Sequence, residues 1–228
     1  MAIKLVVFDI AGTTVKDEDK VIEAFRVSFE EAGYPVPAET ISPLMGYKKE
    51  EAIRKVLEES DPDMGDKLEE KIAAIHSGFI NFMVRHYRES ATFSAFPNTE
   101  ETFRRLRRND ISIGLNTGFP RVIADVIMER VGWIKMGWIN FLVTSDEAPH
   151  GRPHPDMIFD MMRLAGIEDA GEVTKVGDTE VDIREGQNAG CRYVIGVTTG
   201  AFSRPELEKY QPTHIVDDII DVVPIVMQ

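Results

Sequence analysis

The run Leu5-Val6-Val7-Phe8 constrains this chain more than any other stretch, because it is short, wholly apolar and ends on a carboxylate, Asp9. An apolar run without alternation describes a strand buried on both faces, as in a parallel sheet covered by helices on each side. In open sheets of that kind ligands bind beyond the carboxyl ends of the strands, where Asp9 falls. The next residues, Ala11-Gly12-Thr13-Thr14, are small or hydroxylated and let backbone N–H groups turn toward an anion. Taken alone, Asp9 reads equally as a strand stopping at a turn, where Asp and Gly are common.

From residue 17 to residue 94 the pattern is helical. Val21, Ala24, Phe25, Phe29 and Ala32 recur at helix spacing, Gly33 and Pro35 close that helix, and Ile72, Ile75, Phe79, Phe82 and Met83 continue the period. After Phe96-Pro97-Asn98 strands and helices alternate. Helices are predicted over 99–108, 120–131, 155–165 and 180–189, and strands over 111–115, 141–143, 173–176, 193–197 and 214–216, with a short terminal helix. Alternation of this kind predicts an α/β fold, a Rossmann-like doubly wound parallel sheet with right-handed crossovers. The domain plan is a core of residues 1–16 and 95–228 with a helical cap of residues 17–94 inserted after the first strand, placed to act as a lid.

The chain has 228 residues and a formal net charge of −13, which argues against nucleic acid or an anionic membrane as a partner. Such a surface also repels phosphorylated ligands at long range, so a phosphate site must be made locally positive by a cation or by a few basic residues. The single cysteine, Cys191, can form no intrachain disulfide and has no adjacent base, so it reads as a small apolar residue. With no signal-peptide pattern and no long apolar span, a cytoplasmic location is expected. The face of the first cap helix around Phe25 and Phe29 either pairs two subunits as a homodimer or packs internally.

Polar groups fall at the ends of successive strands: Asp9, Thr117, Asp146 and Asp178, with Asp182 one helical turn beyond Asp178. Mg²⁺ takes hard oxygen ligands, commonly one or two carboxylates with waters and a substrate phosphate. Asp9 and Asp178 would suffice, with Asp182 orienting a ligand. Thr117 and the Gly118 N–H could hydrogen-bond a phosphoryl oxygen, and Arg152, in Gly151-Arg152-Pro153-His154-Pro155, could neutralise the same group. Each has a plainer account: Asp182 as a solvated helix residue, Thr117 as a turn residue, Arg152 as a surface charge, Asp146 as a turn cap.

In order, Asp9-Ile10-Ala11-Gly12-Thr13-Thr14, Asn116-Thr117-Gly118, Arg152-Pro153 and Gly177-Asp178-Thr179-Glu180-Val181-Asp182 resemble the four motifs of the haloacid dehalogenase superfamily. The likeness spans almost the whole chain, helical cap included. It implies that Asp9 attacks phosphorus to form an aspartyl-phosphate that water then cleaves. It also implies Mg²⁺ held by Asp9, the Ala11 carbonyl and Asp178, with Asp182 nearby, and a substrate that is a small phosphorylated or phosphonate metabolite lying against Gly12, Thr13, Met45, Gly46 and Gly118.

Most phosphatases of that superfamily carry a second Asp two residues after the nucleophile, to protonate the leaving oxygen; here Ala11 stands in its place. General acid–base help is typically worth roughly 10²–10⁴ in rate, so an ordinary phosphomonoesterase would be handicapped without it. The branch with Ala at this position resembles the phosphonoacetaldehyde hydrolases, which break a P–C bond. There a cap lysine forms a Schiff base with the substrate aldehyde and accepts the electrons of the departing carbon. The lysine follows a Met-Gly pair, which maps onto Met45-Gly46 and makes Lys49 the counterpart, with Lys48 beside it. Lys49 read without the likeness is a solvated lysine near a helix start. The branch also has a histidine three residues after its lysine; here that position is Ala52. The expected activity is therefore Mg²⁺-dependent hydrolysis of a phosphonate aldehyde or ketone. The alternatives are a small-molecule phosphate monoesterase of the phosphoglycolate phosphatase kind, without Schiff-base chemistry, and a non-catalytic binding protein of the same fold.

Overall fold

In the computed structural model, which describes residues 2–17 and 19–228, the opening run forms β1 (Leu5–Asp9), and every residue of it is buried. It lies between β2 (Ser112–Thr117) and β4 (Val173–Gly177); beyond these come β3 (Phe141–Thr144) on one side, and β5 (Tyr193–Val197) and β6 (His214–Val216) on the other. The sheet order is β3-β2-β1-β4-β5-β6, parallel throughout. The expected α/β sheet is thus present, and the continuous apolar run read from the sequence is a central strand, β1.

Side chains alternate across a strand, and β1 divides accordingly. Val6 and Phe8 join a core containing Phe103 and Leu106 of α5 (Thr99–Arg108). Leu5 and Val7 join a second core built on Met157, Ile158 and Met161 of α7 (Asp156–Ala165). Helices α6 (Arg121–Val131) and α8 (Glu180–Ala189) complete the βα units, and α9 (Arg204–Glu208) and α10 (Val222–Val226) lie toward the end. Pro120 stands just before α6, at its N-cap, not inside the first turn.

Between β1 and α5 come α1 (Lys20–Glu31), α2 (Ala38–Ile41), α3 (Lys49–Ser60) and α4 (Leu68–Glu89), with no strand among the described residues there. The chain leaves and returns through one narrow point. Val15 pairs with Ala95, the Lys16 N–H donates to the Ser94 carbonyl at 3.1 Å, and that of Phe96 donates to the Thr14 carbonyl at 3.0 Å. Phe25 and Phe29 of α1 are 1% and 0% exposed, and Phe25 packs against both Phe29 and Phe79, so they belong to the chain's own core and offer no pairing face. No helix among the described residues is long and apolar enough to cross a membrane.

Candidate active site

Register brings the carboxyl ends together. Asp9 pairs with Asn116, and Phe8 with Val176, so Thr117 and Gly177-Asp178 flank the end of β1. Asp9, Thr117, Gly118, Arg152 and Asp178 all line one small cavity of about 30 Å³, and so do Met45, Gly46 and Lys49 from above the sheet. Asp146 does not join them. Its carboxylate accepts hydrogen bonds from the Arg121 N–H at 3.0 Å and the Thr144 hydroxyl at 2.6 Å, which makes it the turn cap at the start of α6.

Arg152 is 1% exposed and donates from Nη1 to Asp9 Oδ1 at 2.8 Å and to Asp182 Oδ1. Burial opposes its charge, but Asp182 and Asp9 outweigh burial and keep the guanidinium protonated. Its Nε is buried with no hydrogen-bond partner among the described residues. Asp182 is committed inward: Oδ2 accepts from the Thr179 N–H at 3.2 Å and its hydroxyl at 2.5 Å, capping α8. Burial acts to raise its pKa, yet Arg152 and Lys175 override burial and hold it below the ordinary carboxylate value.

Beneath this pair lies a network that the sequence reading did not single out. Lys175, in the middle of β4 and 0% exposed, donates to Asn116 Oδ1 at 2.5 Å and pairs with Asp182 at 3.0 Å and Glu185 at 3.1 Å. Asn116 returns two hydrogen bonds to Glu185, at 2.8 and 2.9 Å. A lysine inside a wholly buried strand was the available signal, as was a glutamate three residues beyond Asp182 on the same helix face.

Asp178 is held by the Thr13 hydroxyl at 2.8 Å and the Ala201 N–H at 2.8 Å. Burial is the largest influence on it, and Asp9 and Asp182 add repulsion, so its pKa is raised well above the ordinary value. Asp9 is pushed up to about 6, first by burial, with Arg152 pulling the other way. Glycine is required around Asp178: a Cβ at Gly12 would meet its Oδ2 at 2.5 Å, and one at Gly200 would meet it at 2.0 Å. Gly12 also has φ +90°, a region that side chains disfavour.

These features fit a hard divalent cation. Two carboxylates and the Ala11 carbonyl are oxygen donors at the strand ends, and the surplus of buried negative charge calls for a counter-charge. Among the described residues no three His, Cys, Asp or Glu side chains are grouped to hold an ion unaided. That suits Mg²⁺, which keeps waters and substrate oxygens and needs few protein ligands.

Lys49 is the first residue of α3 and 3% exposed. Its Nζ lies 5.5, 5.8 and 5.2 Å from the ring centres of Phe25, Phe79 and Phe119, distances at which a ring face attracts a cation. No described carboxylate comes within ion-pair distance of it. Burial first, then Arg152, lower its pKa to about 8, against the opposing charges of Asp9, Asp17 and Asp182. The plainer reading of a solvated lysine does not describe this side chain. Lys48, by contrast, lies toward Glu50 at 3.9 Å, on the surface side of the same turn. Cys191 is half-buried, and burial pushes its thiol up to about 12.

The segment carrying Lys49 is seated on the sheet by close backbone approach. A Cβ at Gly118 would meet the Gly46 and Tyr47 carbonyl oxygens at 2.5 Å each, and one at Gly46 would meet Thr179 Oγ1 at 2.5 Å.

Residues 6–196 match the model of the haloacid dehalogenase-like hydrolases. The chain belongs to that family. It is 31% identical over 215 residues to a phosphonoacetaldehyde hydrolase of Bacillus cereus, covering 88% of this chain and 78% of that protein. Among solved structures, a phosphonoacetaldehyde hydrolase-like protein from Oleispira antarctica superposes with a TM-score of 0.81 at 18% identity, covering 99% of this chain and 92% of the other. A predicted phosphoglycolate phosphatase from Haemophilus somnus gives 0.79 at 19%, covering 98% and 97%. The last two show the shared fold; the match to the family model shows that this haloacid dehalogenase-like chain is a hydrolase.

Proposed function

We propose that this hydrolase cleaves the P–C bond of a small phosphonate bearing an aldehyde or ketone, with Asp9 as nucleophile and Lys49 as Schiff-base lysine. The observation that carries the reading is a buried, weakly basic amine opening into the same cavity as a strand-end carboxylate held by a guanidinium. Residues 17–94 serve as the cap that brings the amine there.

Phosphonate oxygens would lie among Arg152, the Thr117 hydroxyl and the Gly118 N–H. Mg²⁺ bound by Asp9, the Ala11 carbonyl and Asp178 would screen their charge from the attacking carboxylate. Asp9 Oδ1 is held by Arg152, and Oδ2 has no hydrogen-bond partner among the described residues, so Oδ2 is the oxygen free to attack phosphorus. Asp182 acts through Arg152, fixing the plane of the guanidinium. As the P–O bond to Asp9 forms, the P–C bond breaks and its electron pair moves into the iminium on Lys49, giving an enamine. Proton donation to a leaving oxygen is not needed, consistent with Ala11 in place of an acid. Protonation of the enamine carbon and hydrolysis of the resulting iminium by water release the carbonyl product and free Lys49, and water also cleaves the aspartyl-phosphate.

The test is phosphate release from phosphonoacetaldehyde with Mg²⁺, with and without borohydride. The reading requires that borohydride inactivate the protein only when the carbonyl substrate is present, and that Lys49→Ala escape this. Turnover of phosphate esters alone, insensitive to borohydride, would replace it with the monoesterase reading.

A further inference from the structure

An amine must shed its proton before it can attack a carbonyl, and no histidine lines the Lys49 cavity. A second and larger cavity, of about 480 Å³, adjoins it and shares Ala11, Met45 and Asp178 as walls. Asp17, in the segment that joins β1 to α1, lines that larger space. One of its oxygens accepts from the Val21 N–H at 3.3 Å, and Val21 itself lines the Lys49 cavity. The other oxygen has no hydrogen-bond partner among the described residues.

We infer that Asp17 is the proton carrier for Lys49, taking its proton through water between the two adjoining cavities and returning it when the Schiff base forms. This rests on the Schiff-base reading above. The protons balance as follows. Lys49 ammonium gives one to the Asp17 carboxylate. The free amine adds to the carbonyl carbon, and water moves a proton from nitrogen to the new alkoxide. Protonated Asp17 then gives its proton to the carbinol hydroxyl, which leaves as water, so the iminium forms and Asp17 returns to carboxylate.

The charge environment supports the assignment. Burial pushes Asp17 up to about 7, and Lys49 is brought down to about 8, so a proton can pass either way near neutrality. The groups facing Asp17 are Lys49 on α3, which lowers its pKa, and Asp19 in its own segment and Asp9 on β1, which raise it. Tyr87 on α4 feels the Asp17 charge, and Lys16 lines the same cavity. Those acting on Lys49 are Arg152, Asp9, Asp17 and Asp182.

The experiment follows the rate of borohydride-trapped adduct with phosphonoacetaldehyde from pH 6 to 10, in the wild type, Asp17→Asn, Asp17→Glu and Lys49→Ala. The Asp17 charge raises the Lys49 pKa. On electrostatics alone Asp17→Asn would therefore free the amine and speed the adduct. Loss of a proton carrier predicts the reverse, a slowing of roughly 10²-fold near pH 7. The deficit should close as pH rises and hydroxide takes the proton, and Asp17→Glu should recover most of the rate. Adduct formation by Asp17→Asn at the wild-type rate or faster overturns the inference. So does an equal slowing at every pH without rescue by Glu, which marks a structural role. No adduct in the wild type overturns the Schiff-base reading itself, and is told apart because it precedes any comparison of variants.

Discussion

At the scale of single residues, burial is what gives ordinary side chains unusual chemistry here. Asp17 shows the effect in a form that stability can report. Its carboxyl holds a proton up to about pH 7 in the fold, with desolvation the largest cause, against 3.8 as the reference value. Between those values the folded chain binds a proton that the unfolded chain has released, so stability falls as pH rises through that window and levels off above it. Denaturant unfolding at pH 5 and pH 8 should show this loss in the wild type and a smaller one in Asp17→Asn; equal losses would contradict the environment described. Asp9 and Asp178 could be placed from the sequence because each stands at the end of a strand, whereas Arg152 taken alone passed for a surface charge and stood out only through the family resemblance. Asp17 was not legible, because an acid among the charged residues 16–20 looks solvated until the fold places it against a cavity. Lys175 was hidden differently: its charge was in view, but its partner Asn116 lies 59 residues away in the chain.

At the scale of elements, the strands and the longer helices could be read directly because each is long enough for its period to show. Helix α9, of five residues, is too short for that and was missed. The aromatic face of α1 was visible, but periodicity says only that a face is apolar, not whether its partner is α4 or another subunit. What no pattern could show is the seating of the 45–49 segment on the sheet. Gly118 permits it, with two carbonyl oxygens at 2.5 Å from where a Cβ would be. Gly118→Ala should lift the segment and withdraw Lys49 while leaving the sheet intact. A displacement on the order of 1 Å can cost about 10²-fold in rate. Turnover should fall by about that much with little change in Tm; wild-type turnover would show that the close approach is dispensable.

At the scale of the whole molecule, the governing fact is charge. The chain carries a net −13 and buries Asp9, Asp178, Asp182 and Glu185 around Arg152 and Lys175. Removing one partner of a buried pair strands the other, typically at about 3–5 kcal/mol. Lys175→Met should therefore lower unfolding free energy by about that amount, and the paired change Lys175→Met with Glu185→Met should recover much of it, as measured by denaturant unfolding. The surplus of carboxylate also predicts that Mg²⁺ raises Tm. Saturation at about a hundredfold over Kd corresponds to about 2.7 kcal/mol. Asp178→Asn should abolish that rise; an undiminished rise would place the ion elsewhere.

The claim on which the account turns is that Asp9 takes up the phosphoryl group. Rapid acid quench of the Mg²⁺-loaded protein during turnover of phosphonoacetaldehyde, followed by peptide mass spectrometry, tests it directly. The account predicts a transient phosphoryl group on the peptide bearing Asp9, absent from Asp9→Asn. Phosphate released with no protein-bound phosphoryl group at any quench time, or one carried by another residue, would contradict it.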